Sequence, residues 1–172
     1  MKTIYALLPT MLLPYLRLFN NLFFRGEVTS LKKIKFLKKC NQLVVLGNGP
    51  SLSKDLQKLA DLKIKNDFFC VNNFACSDWY EFFKPNKYMF MDDYFFSDNA
   101  HPDWIQQRNK TFMDINKKTK WRLQIFIPAQ ANESILREKI DNKNVEIIKF
   151  NTSGFVSKNI NLNFFHFNTG FF

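Results

Sequence analysis

Residues 43–52 read Leu-Val-Val-Leu-Gly-Asn-Gly-Pro-Ser-Leu, and they are the most informative part of the sequence for predicting its fold. Its first four residues are apolar and mostly branched, which is typical of a buried parallel strand, and the Gly-Asn-Gly-Pro that follows predicts a tight turn. Ser51 stands where a helix N-cap belongs, because apolar side chains recur behind it at helical spacing, at Leu52, Leu56, Leu59 and Leu62. The stretch therefore predicts a strand, a glycine turn and a capped helix.

Such a turn brings bare backbone N–H groups and a helix N-terminus to one point, where a phosphate can bind. Gly47 and Gly49 allow positive φ and close approach of a ligand, and Pro50 stiffens the exit from the turn. The loop is not the GxGxxG fingerprint, because Leu52 takes the place of the third glycine, and it is not a Walker loop, because no Gly-Lys-Ser/Thr follows. A nucleotide site and an ordinary strand-to-helix turn of an α/β domain are both consistent with it.

The composition is that of a folded globular domain with a strong basic bias. The 172 residues are 46% hydrophobic and 23% charged, and the formal net charge is +10. One domain with one core is the expectation for this length. The charge favours acidic partners such as nucleic acid, anionic lipid or a phosphorylated donor. We expect no nucleic acid partner, because the lysines cluster at 32–39 without the interleaved aromatic residues of a known binding module.

The three cysteines are Cys40, Cys70 and Cys76. Their odd number and the lack of CxxC spacing favour neither a disulfide framework nor a zinc site. Cys70 falls within a predicted strand, where we expect a small buried apolar residue. This usage of cysteine fits a reducing compartment, so a cytoplasmic protein is expected.

The N-terminal residues 1–40 form an apolar and basic segment that we separate from a domain at 41–172. The apolar run 4–24 is interrupted by prolines, Arg17 and asparagines, so we do not expect it to span a membrane. In residues 31–39, apolar side chains alternate with five lysines. Such a segment can be an interfacial anchor in peripheral contact with an anionic inner membrane, or a helix packed on the domain with a solvated lysine face.

Apolar runs and helical patterns alternate along the rest of the chain, which predicts a Rossmann-like, open, mostly parallel sheet with helices on both faces. From residue 151 the periodicity fades, and the chain ends on Asn-Thr-Gly-Phe-Phe. We therefore expect a truncated reading frame and an incomplete domain. The predicted strands are 43–46, 67–71, 87–91, 121–127 and 145–150, and the predicted helices are 52–62, 77–83, 103–119 and 133–140.

Polar side chains follow three of the predicted strands, at the edge where parallel sheets bind ligands. Asn48 follows the first strand, Asn72 and Asn73 the second, and Asp92 and Asp93 the third. Asparagine donates and accepts hydrogen bonds, so it can bind a ribose, a base edge or a sugar. The two aspartates can hold a divalent metal with the help of diphosphate oxygens, or cap the helix that follows, which is the commoner use.

Two histidines are candidates for acid or base chemistry. His101 precedes Pro102 in a predicted loop, and His166 lies between two phenylalanines near the end of the chain. A loop histidine is more commonly polar surface, and one among phenylalanines is more commonly packing. We therefore assign no catalytic residue.

Three segments resemble the bacterial surface-glycan sialyltransferases of glycosyltransferase family 42, and equally the related motility-accessory-factor glycosyltransferases with the domain of unknown function 115. The segments are 47–52 (Gly-Asn-Gly-Pro-Ser-Leu), 71–74 (Val-Asn-Asn-Phe) and the Lys84-Pro85 to Asp92-Asp93 strand. The resemblance covers residues 42–95 and, more weakly, the Asn-Thr-Gly at 168–170. The first motif is the most specific of these.

The resemblance implies inverting transfer of a sugar, typically a nonulosonic acid, from a CMP-activated donor to a glycan or protein acceptor of the cell surface, such as lipopolysaccharide or another surface polysaccharide. It also implies that no metal is essential. Asn48 would contact the donor near the phosphate, Asn72 and Asn73 its nucleotide and sugar portions, and Thr169 and Gly170 the nucleotide pocket. The predicted donor site comprises Gly47, Asn48, Gly49, Pro50, Ser51, Asn72, Asn73, Asp92, Thr169 and Gly170.

The sequence also departs from the sialyltransferases. Asn73 replaces their glutamine, Asp92-Asp93 stands where they tend to carry Asn-Pro, and their catalytic histidine lies beyond the end of this chain. The glycine–asparagine motif also resembles an archaeal-type pterin diphosphokinase, in which the loop would hold ATP phosphates and the aspartates a magnesium ion. A basic, membrane-associated module without catalytic activity is the third alternative.

Overall fold

The computed structural model describes residues 40–47, 49, 52–62 and 66–150. These residues form five strands, four α-helices and two 3₁₀ turns. The strands are β1 (Leu43–Leu46), β2 (Asp67–Val71), β3 (Lys87–Met89), β4 (Leu123–Pro128) and β5 (Val145–Phe150). The helices are α1 (Leu52–Asp61), α2 (Trp79–Phe83), α3 (Pro102–Lys118) and α4 (Ser134–Lys139), and the 3₁₀ turns are Phe74–Cys76 and Asp93–Phe95.

The strands form one parallel sheet in which their spatial order follows the chain, β1-β2-β3-β4-β5. Tyr88 of β3 pairs with Cys70 of β2 on one side and with Ile125 of β4 on the other. Parallel strands joined through helices form an open α/β sheet of the Rossmann-like class, so the predicted fold class is confirmed. Within the described sheet, β1 is an edge strand.

The hydrophobic core of the described residues lies on one face of this sheet, between the strands and all four helices. Alternate residues of a strand point to opposite faces, and paired residues of neighbouring strands point to the same one. The strand and strand-end residues of this face are Leu46, Phe68, Cys70, Tyr88, Phe90, Leu123, Ile125 and Ile127, and the helix residues against them are Leu56, Tyr80, Phe83, Phe112, Ile115 and Leu136.

The opposite face of the sheet is also buried at its centre. Phe69, Met89 and Ile148 are buried there, and the ring centroids of Phe69 and Phe126 are 6.1 Å apart. At the edge strand, by contrast, Leu43 and Val45 are exposed.

Local signals in the sequence explain where the helices begin and end. Pro102 occupies the first turn of α3, and the His101 ring, at the N-cap, accepts a hydrogen bond from the Asp103 backbone N–H through Nδ1 (3.3 Å). α2 ends at Lys84, which has φ of 46°, because the following Pro85 disfavours helical backbone at the residue before it.

The described residues fall into two compact units. The described residues of 40–127 and 131–148 belong to one compact unit, and 128–130 and 149–150 belong to a second. In the second unit the Ala129 N–H donates to the Phe150 carbonyl oxygen at 2.7 Å. The predicted segment 1–40, apart from Cys40, and the tail 151–172 with His166 lie outside the described residues.

The prediction for Cys70 can be compared with the described residues, whereas the prediction that residues 4–24 do not span a membrane lies outside them. Cys70 is buried in the core, as predicted, and burial raises the pKa of its thiol. Cys40, Cys70 and Cys76 are all free thiols. None of the helices in the described ranges has both the length and the apolar character needed to cross a membrane.

Candidate functional site

Residues after β1, β2 and β3 lie at one edge of the sheet, because these strands are parallel and adjacent. Gly47 follows β1 directly, Asn72 follows β2, and Asp92 lies three residues beyond the end of β3. The topology thus brings these three predicted site residues to the carboxyl edge, where open α/β sheets bind ligands. Of the other predicted site residues, Asn48, Pro50, Ser51, Thr169 and Gly170 lie outside the described residues.

The glycine turn leaves open space beside its backbone. A Cβ placed on Gly47 would meet no atom of the described residues within 4 Å. The turn into α1 is closed by a hydrogen bond from the Leu52 N–H to the Gly49 carbonyl oxygen (3.0 Å). Gly47 does not adopt positive φ. Neither backbone strain nor packing against the described residues requires a glycine here, so the missing side chain leaves room for a ligand beside those residues.

A cavity of about 400 Å³ continues from this turn along the edge strand. Its walls are β1 on one side and the first turns of α1 on the other. Apart from Asp55, the α1 residues that line it are apolar. The lining residues are Val44, Val45, Leu46, Gly47, Gly49, Leu52, Asp55, Leu56 and Leu59.

Asn72 is the residue at this edge that adopts a left-handed backbone, with φ of 50°. Its N–H donates to the Met89 carbonyl oxygen (3.1 Å), and its own carbonyl oxygen accepts from the buried Tyr88 hydroxyl (2.5 Å). The backbone of Asn72 is thus fixed by β3. Its half-buried side-chain amide has no hydrogen-bond partner among the described residues, so this amide is available to a ligand.

Asn73 differs from its neighbour because both ends of its amide bond to the protein. Its Nδ2 donates to the Tyr94 hydroxyl (2.9 Å), and its Oδ1 accepts from the Thr111 hydroxyl (2.8 Å). These bonds connect the end of β2 to the loop after β3 and to α3. Partial burial raises the pKa of the Tyr94 hydroxyl, and the bond from Asn73 opposes that shift. The sequence predicted the same kind of role for both asparagines, whereas the structure separates them.

Asp92 and Asp93 are exposed at the mouth of a second cavity, of about 530 Å³. The prediction that these aspartates cap the following helix is wrong for Asp92, whose side chain makes no capping bond to the 3₁₀ turn Asp93–Phe95. In the described ranges, no three His, Cys, Asp or Glu side chains come together as a metal site. The cavity is lined by Asp92, Asp93, Tyr94, Ser97, Asn99, Ala100 and Trp104.

Sequence reasoning missed Arg108, which shapes the loop that carries these aspartates. Arg108 is 2% exposed. Its Nη1 donates to the carbonyl oxygens of Tyr94 (3.3 Å) and Ser97 (2.9 Å), and its Nη2 donates to Asp98 Oδ1 (2.9 Å). An arginine among polar neighbours on a helix gives no sequence signal of such burial.

His101, the histidine candidate within the described residues, serves the start of α3. Besides accepting from the Asp103 N–H, its Nδ1 lies 3.5 Å from Asp103 Oδ2, and both side chains are largely exposed. Its ring centroid is 6.1 Å from that of Trp104. This position agrees with the interpretation of His101 as polar surface.

Comparisons with known proteins do not assign a family or a function to this chain. No family model, no curated protein and no solved structure matches the chain. The resemblance to surface-glycan glycosyltransferases therefore stays an expectation from the motifs, and the function has to be argued from the site.

Proposed function

We propose that this chain binds the nucleotide portion of a CMP-activated sugar and contributes the donor site of a glycosyltransferase of bacterial surface-glycan assembly. The observation that carries the proposal is the position of Gly47, Asn72 and Asp92 at the carboxyl edge of three adjacent parallel strands. This is where open α/β sheets hold nucleotides.

Each of these positions offers a group that suits one part of the donor. The open backbone at Gly47, just before α1, suits a phosphate, which binds N–H groups at a helix N-terminus. The unoccupied amide of Asn72 can donate to and accept from a ribose or a base edge. The exposed carboxylate of Asp92 can accept hydrogen bonds from hydroxyl groups. The acceptor and the catalytic base are not assigned by these residues.

A second candidate function is that of an ATP-dependent pterin diphosphokinase. The observation in its favour is that Asp92 and Asp93 are both exposed on one cavity, where carboxylates together with phosphate oxygens can hold a magnesium ion. The two functions differ in the nucleotide and in the need for metal.

Calorimetry on the full chain separates the two candidates. CMP is titrated in the presence of a chelator, and ATP is titrated with and without magnesium. Saturable CMP binding without metal supports the sugar-transfer function. ATP binding that depends on magnesium, without CMP binding, contradicts it and favours the diphosphokinase. Binding of neither nucleotide contradicts both.

Substitution of Gly47 tests whether the turn is the phosphate site. Gly47→Ala and Gly47→Val should fold normally, because φ is not positive and a Cβ would meet none of the described residues. The change in the free energy of unfolding should stay within about 1 kcal/mol. A Cβ at this point would occupy the proposed phosphate space, so CMP affinity should fall by about tenfold or more, which corresponds to about 1.4 kcal/mol. Unchanged affinity in both variants would place the phosphate elsewhere.

A further inference from the structure

The second cavity, which we call the Trp104 cavity, combines an exposed aromatic ring with polar side chains. It is lined by Asp92, Asp93, Tyr94, Ser97, Asn99, Ala100 and Trp104. Its volume of about 530 Å³ is within the range of small-molecule sites. None of the motifs that suggested a nucleotide donor uses Trp104, Ser97 or Asn99.

Trp104 lies in the first turn of α3 and is 56% exposed. Its ring is held by neighbours on two sides, with centroid distances of 6.0 Å to Tyr94 and 6.1 Å to His101. The fold therefore fixes the ring without burying it. An exposed tryptophan forfeits the free energy of burying a large apolar surface, and such rings are characteristic of binding sites.

The cavity is preformed, because its walls are tied to the core. The buried Arg108 holds the carbonyl oxygens of Tyr94 and Ser97, and Asn73 holds the Tyr94 hydroxyl. The Ser97 hydroxyl oxygen accepts from the Asn99 N–H at 3.1 Å, which fixes the turn at the cavity rim. The residues that line the cavity are thus already ordered before a ligand binds, so little conformational entropy would be lost on binding.

The charge around the cavity disfavours anionic ligands. Between Lys87 and Arg108 the sequence contains four aspartates and no lysine or arginine, although the whole chain carries +10. The nearest cation along α3, Arg108, is buried and paired with Asp98 at 2.9 Å. Within the described part of the chain, Asp92 and Asp93 have no ion-pair partner, so their carboxylates disfavour an anion in this cavity and accept hydrogen bonds from hydroxyl groups.

We propose that the Trp104 cavity binds a neutral or amino-bearing pyranose. The C–H face of the sugar ring would stack on the indole, whose face carries negative charge density, and the hydroxyl groups would donate to Asp93. Ser97 and Asn99 would provide further hydrogen bonds at the rim. That this sugar is the acceptor of the transfer reaction rests on the proposed function; the pyranose site itself does not.

Binding is tested by titrating the full chain with methyl glycosides of glucose, galactose and N-acetylglucosamine, followed by protein-detected NMR or calorimetry. We expect saturable binding of at least one glycoside. Glucuronate, which is anionic, should bind several-fold more weakly than the matched glucoside, and Asp93→Asn should narrow that difference. The Trp104→Ala variant should lose about tenfold or more in affinity, and Trp104→Phe should lose less because it keeps an aromatic face.

Met113→Ala is the matched control, because Met113 is 58% exposed on the same helix but does not line the cavity. Its sugar affinity should equal that of the unmodified chain. No saturable binding of any glycoside, or equal binding by Trp104→Ala and the unmodified chain, overturns the proposal. Saturable binding of tetramethylammonium in place of sugars also overturns it, since Trp104 would then be a cation site.

CMP binding, measured on the same samples, keeps this proposal separate from the donor site. CMP affinity should be unchanged in Trp104→Ala and Trp104→Phe. Sugar binding that depends on Trp104, in a chain that does not bind CMP, would refute the donor site and leave the pyranose site standing. Loss of both in Trp104→Phe, with an unchanged melting temperature, would show that the two sites are one and contradict the separate pyranose site.

Discussion

At the scale of single residues, Asn72 and Asn73 show how adjacent, chemically identical side chains take different tasks. Asn72 has a left-handed backbone and a free amide within the described residues, whereas Asn73 bonds to Tyr94 and Thr111. Glycine adopts φ of 50° without cost, so Asn72→Gly should change the free energy of unfolding by less than about 1 kcal/mol. It should also reduce CMP affinity by about fivefold or more, through the loss of a hydrogen bond worth about 1 kcal/mol.

Two further variants show whether the loss of CMP affinity in Asn72→Gly comes from the Asn72 amide itself. Asn72→Ala removes the same amide and keeps the Cβ that Asn72 already has; because alanine tolerates the left-handed region less well than asparagine, this variant should lose no more than about 1–2 kcal/mol of stability. Asn73→Ala leaves the half-buried Tyr94 hydroxyl and the buried Thr111 hydroxyl without these bonds and should cost about 1–3 kcal/mol. Urea unfolding measures stability and calorimetry measures CMP affinity. Full CMP affinity in Asn72→Gly would contradict the assignment of this amide to the nucleotide.

At the scale of elements, the sequence predicted well which helices and strands the chain forms. β2 and β5 have the predicted bounds because turn residues enclose short apolar runs, and α3 begins at Pro102, one residue before the predicted start. The third strand is shorter than predicted and ends at Met89, although the apolar run continues to Met91. Periodicity does not encode which strands pair, so the order β1-β2-β3-β4-β5 had no sequence signal.

The candidate site was predictable only in part, for a related physical reason. A parallel sheet fixes the edge at which residues after each strand emerge, so Gly47, Asn72 and Asp92 could be grouped from sequence. Side-chain partners depend on contacts between distant segments. Thr111, which bonds to Asn73, lies 38 residues later in the chain, and no local pattern announces that contact.

Arg108 connects α3 to the loop after β3, so replacing it tests what holds these two elements together. In Arg108→Met the carbonyl oxygens of Tyr94 and Ser97 lose a charged donor. Hydrogen bonds to charged groups are worth about 1.5–3 kcal/mol, so the free energy of unfolding should fall by about 2–4 kcal/mol. Hydrogen exchange should accelerate most at the Phe95 and Phe96 amides, which bond within the 3₁₀ turn of this loop.

The control for this variant is Asp98→Asn, which removes only the ion pair with Arg108. The Asp98 side chain is 74% exposed, so the pair should contribute no more than about 1 kcal/mol. An equal loss of stability in Asp98→Asn and Arg108→Met would mean that the ion pair, rather than the two carbonyl contacts, holds the loop.

At the scale of the whole molecule, the buried weak acids of the core predict alkaline instability. Burial raises the pKa of Cys70, Tyr80 and Tyr88 above their ordinary values of 9.0 and 10.0. As the pH rises through those values, the unfolded chain releases protons that the folded chain retains, so the free energy of unfolding falls. Burial also raises the pKa of Cys76 and Tyr94, which act in the same direction. Lys87 acts in the opposite direction, since burial lowers its pKa from 10.5, but it is one group against five.

Urea unfolding under reducing conditions measures this effect. The free energy of unfolding should be level from pH 7 to about 8.5 and then fall by about 2–4 kcal/mol by pH 10.5, given 1.36 kcal/mol per proton and pH unit. In Cys70→Ala the decline between pH 8.5 and 10 should be smaller, because Cys76 is then the remaining thiol whose pKa is raised by burial. A level profile to pH 10.5 would mean that Lys87 or other groups compensate.

The distribution of charge over the chain supports a last prediction, on anionic membranes. Residues 1–39 contain eight lysines and arginines and one acidic residue, Glu27, so they carry seven of the ten net positive charges. Each basic residue near an anionic surface is worth about 1 kcal/mol. Replacing the five lysines of 32–39 by glutamine in the full chain should therefore weaken binding to phosphatidylserine vesicles by about a hundredfold or more. Raising the salt concentration should reproduce the loss, because screening acts on the same interaction.

Replacing five lysines of the domain, at 110, 117, 120, 139 and 143, is the matched control and should have little effect. Equal weakening by both sets would show that net charge alone, rather than the N-terminal segment, attracts the protein to lipid.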